Sequence, residues 1–245
     1  MDIIAVINQK GGVGKTTTVV NLGVALANLK KKVLLIDLDP QANLTYSFGI
    51  TPDLYTMSEV LQGKQTIQTI LIERERLQIA PASRSLSDVE IALINKIGRE
   101  NKLKQGLTGL TSYDFVFIDC PPSLSILTVN ALNTADEVLI PIQMEVLSLQ
   151  GLKQLLDTIA EVKTVLNKRL QIKGLIAMMF DTSRNLSHEV MQQIKSNVKE
   201  KFFKTVIRKC VRIAEAPSFA KSVLNYAPRS NGAIDFQDLA TEFLK

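Results

Sequence analysis

The sequence predicts an α/β fold, a doubly wound and mostly parallel sheet with helices on both faces. Short apolar runs alternate with helical patterns along the chain, which is the order that βαβ units produce. Several runs are nearly continuous in β-branched residues, as in strands that are covered on both faces. The predicted strands are residues 3–7, 33–36, 77–80, 115–118, 137–141 and 174–179. We expect a single domain over residues 1–245, without an N-terminal helix-turn-helix domain.

Composition is that of an ordinary globular protein, since 46% of the 245 residues are hydrophobic and 22% are charged. No apolar run approaches the roughly 18 residues that a membrane-spanning helix requires. Cys120 and Cys210 fit no C-x-x-C pattern, so we expect buried free thiols rather than a disulfide or a metal cluster. The one histidine, His188, is expected on an exposed helix face, and histidine-based catalysis is therefore nearly excluded.

The first predicted strand leads into a glycine-rich loop, and a helical pattern follows it from Thr16 to about Leu29. Strand, loop and helix in this order bind phosphate, because backbone N–H groups and the helix N-terminus converge on the anion. Glycines let the backbone approach the phosphates closely. We expect Lys15 to contact the β- and γ-phosphates and Thr16 to be a ligand of Mg²⁺. The predicted phosphate-binding residues are Lys10, Gly11, Gly12, Val13, Gly14, Lys15, Thr16 and Thr17.

The loop departs from the common pattern G-x-x-x-x-G-K-[ST] at its first position. Gln9 stands where that pattern has glycine, and a second lysine, Lys10, precedes the glycines. Lys10 lies on the other side of the glycines from Lys15, so we expect that it does not contact the phosphates that Lys15 holds. It is free to reach a nucleotide that another subunit holds. The alternative is that Lys10 is an ordinary solvated lysine.

Five sequence blocks carry a resemblance to a known family, and they occur in the family's order. They are residues 10–17, 37–43, 119–123, 212–218 and 228–233. The chain resembles the ParA/MinD superfamily of P-loop ATPases with a deviant Walker A loop, and in particular the Soj-like ParA ATPases of chromosome and plasmid partition. The resemblance implies ATP and Mg²⁺ as cofactors, slow ATP hydrolysis, and a homodimer that forms with ATP through Lys10.

Three aspartates follow predicted strands, and they would meet at the carboxyl edge of the sheet beside the loop. Asp37 and Asp39 end the second strand, where residues two apart face the same side. Asp119 ends a later strand, at the usual place of the acid that holds a Mg²⁺-bound water. The resemblance assigns the attacking water to Asp39 and the Mg²⁺ hydration shell to Asp37. A turn at residues 37–40 and a helix cap at Asp119 are the alternatives.

The nucleotide base is predicted to be adenine from the resemblance. A guanine-binding Asn-Lys-x-Asp is missing, because Gly98 follows Asn95-Lys96-Ile97 where the pattern requires aspartate. In similar ATPases adenine lies between the end of the strand predicted at residues 174–179 and the loop after residues 205–207. The corresponding residues here are Met179 and Arg208, and the family usually has proline at the position of Arg208.

Basic residues are concentrated towards the C-terminal part of the chain. Residues 168–229 contain thirteen Lys and Arg against four Asp and Glu, although the net charge of the whole chain is +5. Such a cluster favours a polyanionic partner, and a solvated basic surface is the alternative. The resembled family binds double-stranded DNA non-specifically as an ATP-bound dimer. The residues predicted to contact DNA are Arg184, Lys209, Arg212, Lys221 and Arg229.

These patterns predict an ATP-dependent DNA-partitioning switch in the cytoplasm, associated with the nucleoid and stimulated by a ParB-type partner. Catalysis would depend on Lys10, Lys15 and Asp39. A MinD-type membrane-associated division-site ATPase is the main alternative, and it requires a basic amphipathic C-terminal helix. Residues 235–245 contain three acidic residues and one basic residue, so we expect no membrane partner and a docked apolar face of Leu239, Phe243 and Leu244. A small-molecule kinase or ligase, or a non-catalytic nucleotide-binding scaffold, is the remaining alternative.

Overall fold

The computed structural model describes residues 1–51, 55–145 and 148–245. Their strands are β1 (Asp2–Val6), β2 (Val33–Asp37), β3 (Ile72–Arg74), β4 (Leu77–Ala80), β5 (Phe115–Asp119), β6 (Glu137–Gln143) and β7 (Gln171–Met178). The described residues form one seven-stranded sheet in the order β3-β4-β2-β5-β1-β6-β7. All neighbouring strands are parallel except β3, which is antiparallel to β4.

Helices connect most of the strands. The α-helices are α1 (Lys15–Asn28), α2 (Asn43–Ser47), α3 (Met57–Leu61), α4 (Leu86–Leu93), α5 (Lys102–Gly106), α6 (Ile126–Thr134), α7 (Ser148–Val165), α8 (Asn185–Asn197), α9 (Val211–Glu215), α10 (Val223–Tyr226) and α11 (Asn231–Phe243). Single 3-10 turns comprise Ile67–Ile70, Arg99–Asn101 and Ala216–Phe219. None of the helices in the described part of the chain is long and apolar enough to cross a membrane.

Successive residues of β1 belong to two different hydrophobic cores. Ile4 and Val6 pack with residues of α1 and α11, whereas Ala5 belongs to the core that contains residues of α6 and α7. Because the side chains of a strand point alternately to opposite faces, helices cover this sheet on both sides. The predicted doubly wound fold is therefore confirmed. Each predicted strand is present, with its ends displaced by three residues at most.

The sequence contains no signal for β3. A two-residue turn joins it to β4, and both turn residues, Glu75 and Arg76, have positive φ angles of 45° and 67°. Turns of this geometry usually contain Asn or Gly, and this one contains neither. The carboxylate of Glu75 accepts a hydrogen bond from the backbone N–H of Ser222 at 3.1 Å. A contact with a distant part of the chain therefore supports the hairpin that local turn chemistry does not predict.

An extended segment, residues 201–209, runs parallel to β7 and is here called the edge segment. The N–H of Leu175 donates to the carbonyl of Lys201 at 2.8 Å, and the N–H of Lys209 donates to the carbonyl of Phe180 at 3.1 Å. The pairing is interrupted, so that only isolated bridges form along it. The edge segment carries the chain back to the carboxyl edge of the sheet, where α9 begins.

The apolar face of α11 is buried against the sheet and α1. Leu239 and Phe243 are 0% and 3% exposed, and the ring of Phe243 packs edge-on against that of Phe115 with 5.5 Å between centroids. The predicted docking of Leu239 and Phe243 is therefore confirmed. The prediction for Leu244 was wrong, because this residue follows the end of α11 and is 39% exposed. This face of α11 is covered by the protein itself and is not available to a membrane.

The predictions for single cysteine and histidine residues are largely confirmed. Cys120 is a buried free thiol, whereas Cys210 is free but only half-buried. His188 lies on an exposed position of α8, and its ring packs edge-on against Phe180 with 5.0 Å between centroids.

Docking of α11 gives the first testable prediction. Phe236 of α11 is fully buried, and Phe236→Ala should lower the free energy of unfolding by about 3–5 kcal/mol because it leaves a cavity. Ile234 is 40% exposed on the same helix, so Ile234→Ala should change it by about 1 kcal/mol or less. Urea denaturation of both variants measures the difference. Equal losses of stability would contradict the docking described here.

Candidate functional site

The candidate site lies where three adjacent parallel strands end. β5 pairs with β1 on one side and with β2 on the other, and the register places Asp37 directly beside Asp119. The loop that follows β1 leads into α1 at the same edge. Residues that are far apart in the sequence therefore meet here, as the doubly wound fold predicts.

The glycines of the loop leave open space above the start of α1. A Cβ built on Gly11 or Gly12 would meet no described atom within 4 Å. Gly14 precedes α1 in the left-handed conformation with φ of 96°, and a Cβ there would lie 2.7 Å from Cε of Met178. Because glycine has no side chain to cap the helix, the first N–H groups of α1 are available to an anion. The geometry fits a phosphate cradle.

Lys15 points back into the loop. Its side chain is buried, with 7% of the residue exposed, and its ammonium lies 3.4 Å from the carbonyl oxygen of Lys10. Burial lowers the pKa of Lys15, and the nearby carboxylates of Asp119 and Asp39 act in the opposite direction. A polyphosphate in the cradle would supply further negative charge to this ammonium. The position of Lys15 is thus suited to phosphate binding.

Asp119 is fully buried, and the protein satisfies only one of its oxygens. The hydroxyl of Thr16 donates to Oδ2 at 2.7 Å, while Oδ1 has no hydrogen-bond partner among the described residues. Burial raises the pKa of Asp119 well above its ordinary value, and the charge of Asp37 adds to this effect. A hydrated divalent cation would satisfy Oδ1 and stabilise the ionised carboxylate. Thr16 and Asp119 therefore fit a Mg²⁺ site.

The carboxylate of Asp37 accepts hydrogen bonds from within the protein on both of its oxygens. Its Oδ2 accepts hydrogen bonds from the N–H and the hydroxyl of Thr45 at 2.9 and 2.7 Å, and its Oδ1 accepts from the N–H of Asp39 at 3.2 Å. Burial raises the pKa of Asp37 to about 6 despite these bonds. Asp37 thus anchors α2 through Thr45, a partner that no sequence pattern indicated. Its role towards Mg²⁺ stays a prediction.

Asp39 lies closer to the opening of the site. It is 6% exposed, and its Oδ1 accepts a hydrogen bond from the N–H of Gln41 at 2.9 Å. This bond and the one from the N–H of Ala42 to the carbonyl of Asp39 at 2.8 Å form a turn at residues 39–42, two residues beyond the start of the turn considered for residues 37–40. The turn does not compete with a catalytic role, because the same residue lines the cleft in front of the phosphate cradle. The structure therefore contains the turn and leaves the catalytic role of Asp39 as a prediction.

Lys10 is directed away from the cleft that Lys15 lines. Its ammonium forms an ion pair with Glu145, which follows β6, and about half of each side chain is exposed. Lys10 lines a separate hollow together with Val13 and Gly151. Sequence reasoning missed Glu145 because it lies 135 residues from Lys10. Contact of Lys10 with a second subunit stays a prediction.

A cleft of about 470 Å³ extends from the phosphate cradle. Met179 and Pro217 line its outer part, and Met179 is 42% exposed with a φ of 50°. The amide of Gln143 lies 3.0 Å from the sulfur of Met179, and it donates to the carbonyl of Gly12 at 3.2 Å. Tyr46, also in the wall, is 63% exposed and was not identified from the sequence. Met179 and the cradle are thus brought together.

Arg208 forms an ion pair with an aspartate of α11. Its guanidinium binds the carboxylate of Asp235 with distances of 2.6 and 3.0 Å, and its backbone N–H donates to the same carboxylate at 2.9 Å. In the described part of the chain, Arg208 does not line the cleft that contains Met179. This arginine fastens the edge segment to α11, and its contact with adenine stays a prediction.

The residues predicted to contact DNA are all exposed at the surface. Arg184 precedes α8, Lys209 ends the edge segment, and Arg212 lies in α9. Lys221 and Arg229 follow in the loops on either side of α10. Pro217, which lines the cleft, belongs to the same stretch of chain as Arg212 and Lys221. The nucleotide cleft and part of the basic surface are therefore built from one segment.

Comparisons with known proteins agree with this geometry. The AAA domain family model matches residues 1–172. Over 98% of this chain and 97% of its own length, the sporulation initiation inhibitor protein Soj of Bacillus subtilis is 44% identical. The chromosome partitioning protein ParA of Myxococcus xanthus is 42% identical over 99% of this chain and 88% of its own length.

A solved structure is similar over the full chain. It is the crystal structure of cobyrinic acid a,c-diamide synthase from Mycobacterium smegmatis with bound ADP and magnesium. Its TM-score is 0.88 at 35% identity, and the match covers 100% of this chain and 94% of that one.

The loop glycines give a prediction that separates binding from stability. Gly11→Ala should leave the free energy of unfolding within about 1 kcal/mol, because its Cβ meets no protein atom, yet it should remove nucleotide binding by filling the cradle. Gly14→Ala should also destabilise the protein by about 1–3 kcal/mol, because of its left-handed φ. Thermal unfolding with and without Mg²⁺-ATP measures both effects. Unchanged stabilisation of Gly11→Ala by Mg²⁺-ATP would show that phosphates bind elsewhere.

Proposed function

The chain belongs to the family of ParA and Soj chromosome-partitioning proteins, and we propose that it is an ATP-dependent switch for DNA partitioning. One observation carries the proposal. The loop has two lysines with opposite directions, because Lys15 is buried inside the cradle and Lys10 is exposed outside it. A cradle that serves only its own nucleotide needs the first lysine but has no use for the second. In a dimer, the nucleotide bound by the second subunit becomes the ligand of Lys10.

The residues of one protomer divide the work of binding and hydrolysing ATP. Lys15 and the N–H groups at the start of α1 hold the phosphates, and Thr16 and Asp119 hold Mg²⁺. Bound Mg²⁺ supplies positive charge that neutralises the phosphates during phosphoryl transfer. Asp39 lies in the wall of the cleft, where it orients the attacking water. The solved relative with ADP and magnesium supports this choice of nucleotide and metal.

The proposed dimer uses charged residues at the surface. Lys10 leaves Glu145 and reaches the nucleotide of the partner subunit, so that two ATP molecules lie between two protomers. The dimer binds double-stranded DNA non-specifically through Arg184, Lys209 and Arg212, together with Lys221 and Arg229, and phosphate contacts dominate such binding. Slow hydrolysis, stimulated by a ParB-type partner, returns the protein to monomers and releases the DNA. We place the protein in the cytoplasm on the nucleoid.

Amide synthesis driven by ATP is a second candidate, because the solved relative from Mycobacterium smegmatis is named as a cobyrinic acid a,c-diamide synthase. The two functions differ in what ATP controls. A synthase couples ATP to a small acid, whereas a partition switch couples ATP to duplex DNA. DNA binding that requires ATP therefore favours the partition function, and ATP turnover stimulated by a small carboxylic acid favours the synthase.

Nucleotide-dependent dimerisation tests the role of Lys10. Asp39→Ala should be dimeric with ATP and monomeric with ADP, because it binds ATP without hydrolysing it. The double variant Lys10→Gln, Asp39→Ala should stay monomeric with ATP. Glu145→Gln in the Asp39→Ala background is the matched control, and it should still dimerise because it removes the partner of Lys10 but keeps the amine. Size-exclusion chromatography with light scattering measures the masses.

Two results of that experiment would contradict the proposal. The first is a dimer of the Lys10→Gln double variant with ATP, which would mean that this amine is not needed between the subunits. The second is a monomer of Asp39→Ala at all nucleotide concentrations.

Duplex binding tests the coupling of ATP to DNA. At low salt the protein should bind a labelled duplex at least about tenfold more tightly with a non-hydrolysable ATP analogue than with ADP. The affinity should fall steeply with salt, because each phosphate contact releases a counterion. Lys10→Gln should bind equally weakly with both nucleotides, since it does not form the dimer. Equal affinity of the unaltered protein with both nucleotides, by fluorescence anisotropy, would refute the coupling.

A further inference from the structure

Two of the arginines proposed to contact DNA already face an acid of their own chain. The guanidinium of Arg212 lies 2.7 Å from Oε2 of Glu215, and that of Arg184 lies 3.1 Å from Oδ2 of Asp181. Both arginine side chains are exposed, at 57% and 72%, so solvent reaches each pair. A phosphate that approaches either arginine therefore meets a guanidinium with a carboxylate beside it.

The acids are held in place by groups other than the arginines. Oε2 of Glu215 also accepts a hydrogen bond from the hydroxyl of Tyr226 at 3.1 Å, and the ring of Tyr226 stacks on Phe219 with 4.8 Å between centroids. Oδ1 of Asp181 accepts from the N–H and the hydroxyl of Ser183 at 3.0 and 2.6 Å. When an arginine turns towards a phosphate, its carboxylate therefore stays behind.

Both acids keep their charge at neutral pH. The hydrogen bond from Arg212 holds the pKa of Glu215 below its ordinary value, and the bond from Tyr226 adds to the effect. The hydrogen bonds from Ser183 lower the pKa of Asp181 in the same way. Each carboxylate thus both neutralises its arginine in the free protein and repels a phosphate in the complex.

The other three residues proposed to contact DNA have no such acidic partner in the described part of the chain. Lys209, Lys221 and Arg229 form no ion pair within 4 Å with any residue that the structure describes. Lys209 also acts on Asp181 through its charge, but the ion pair of Asp181 is with Arg184. Arginine binds phosphate through two parallel hydrogen bonds and is the stronger phosphate ligand. Two of the three arginines proposed to contact DNA are thus restrained, whereas Arg229 is not.

We propose that Asp181 and Glu215 limit the affinity of this surface for duplex DNA, so that the bound protein is released readily when its dimer opens. The proposal rests on the function proposed above, since it concerns the same DNA-binding surface. In this proposal the two acids lower the affinity for DNA by acting on Arg184 and Arg212. If the acids only held the arginines in position for DNA, their removal would instead weaken DNA binding.

The test compares variants with the same change of charge. Glu215→Gln and Asp181→Asn each remove one restraining carboxylate, and Glu189→Gln removes an exposed carboxylate of α8 within the same basic part of the chain as the control. Duplex affinity is measured by fluorescence anisotropy with a non-hydrolysable ATP analogue at several salt concentrations. Circular dichroism verifies that each variant is folded.

Glu215→Gln and Asp181→Asn should each bind duplex about two- to fivefold more tightly than the unaltered protein. A gain of this size matches the free energy of an exposed ion pair. The slope of log affinity against log salt should become steeper by up to about 0.9, one phosphate contact. Glu189→Gln should produce less than half of the gain. In the Arg212→Gln background, Glu215→Gln should give no more than Glu189→Gln, because the restrained cation is gone.

Weaker binding of Glu215→Gln and Asp181→Asn, or a gain equal to that of Glu189→Gln, would overturn this proposal and leave the DNA-binding function intact. If Glu215→Gln increased the affinity for duplex by the same factor in the Arg212→Gln background, the proposal would be overturned as well. The acid would then act through the electrostatic potential of the whole surface and not through Arg212. If the unaltered protein bound no duplex with any nucleotide, the proposed function itself would be refuted, and this inference with it.

Discussion

Burial of three carboxylates beside a single lysine is the constraint on which the site depends. Asp37 and Asp119 lie side by side on neighbouring strands with Asp39 close by, and the charge of Lys15 acts on Asp119 and Asp39. Buried charges of one sign are unfavourable unless hydrogen bonds or counter-charges compensate them. The protein compensates each acid differently. Asp37 receives three donors from its own chain, Asp39 takes one from its turn, and one oxygen of Asp119 has no hydrogen-bond partner among the described residues.

The compensation of Asp37 also connects the site to the basic surface. Its partner Thr45 belongs to α2, which forms one wall of the cleft and ends before Gly49. A Cβ on Gly49 would lie 2.7 Å from Cβ of Ala220, so this wall rests directly on the segment that follows Arg212. The same segment also contacts α1, because the carbonyl oxygen of the Asn21 side chain accepts a hydrogen bond from the N–H of Val223 at 2.8 Å. Both α2 and α1 therefore contact the segment that carries Arg212 and Lys221.

The sequence predicted the parts of this arrangement that depend on neighbours in the chain. The strands could be predicted because apolar runs are local, and the cradle could be predicted because its glycines lie within the four residues before Lys15. Partners across the fold were not visible. Glu145 and Asp235 bind Lys10 and Arg208 from distant positions, and no spacing rule connects such pairs. The hairpin at Glu75 was missed for the same reason, since a distant contact replaces the glycine that its turn would otherwise require.

Three cations with proposed intermolecular roles share one feature, because each has a carboxylate of its own chain as its present partner. Lys10 has Glu145, Arg184 has Asp181 and Arg212 has Glu215, and all three pairs are exposed to solvent. Binding a nucleotide or a DNA phosphate then exchanges one anion for another instead of creating an ion pair from free charges. The net free energy of such an exchange is small, since exposed pairs contribute little and salt screens them. Small differences suit the proposed switch, in which loss of a single phosphate reverses weak contacts between the dimer and DNA.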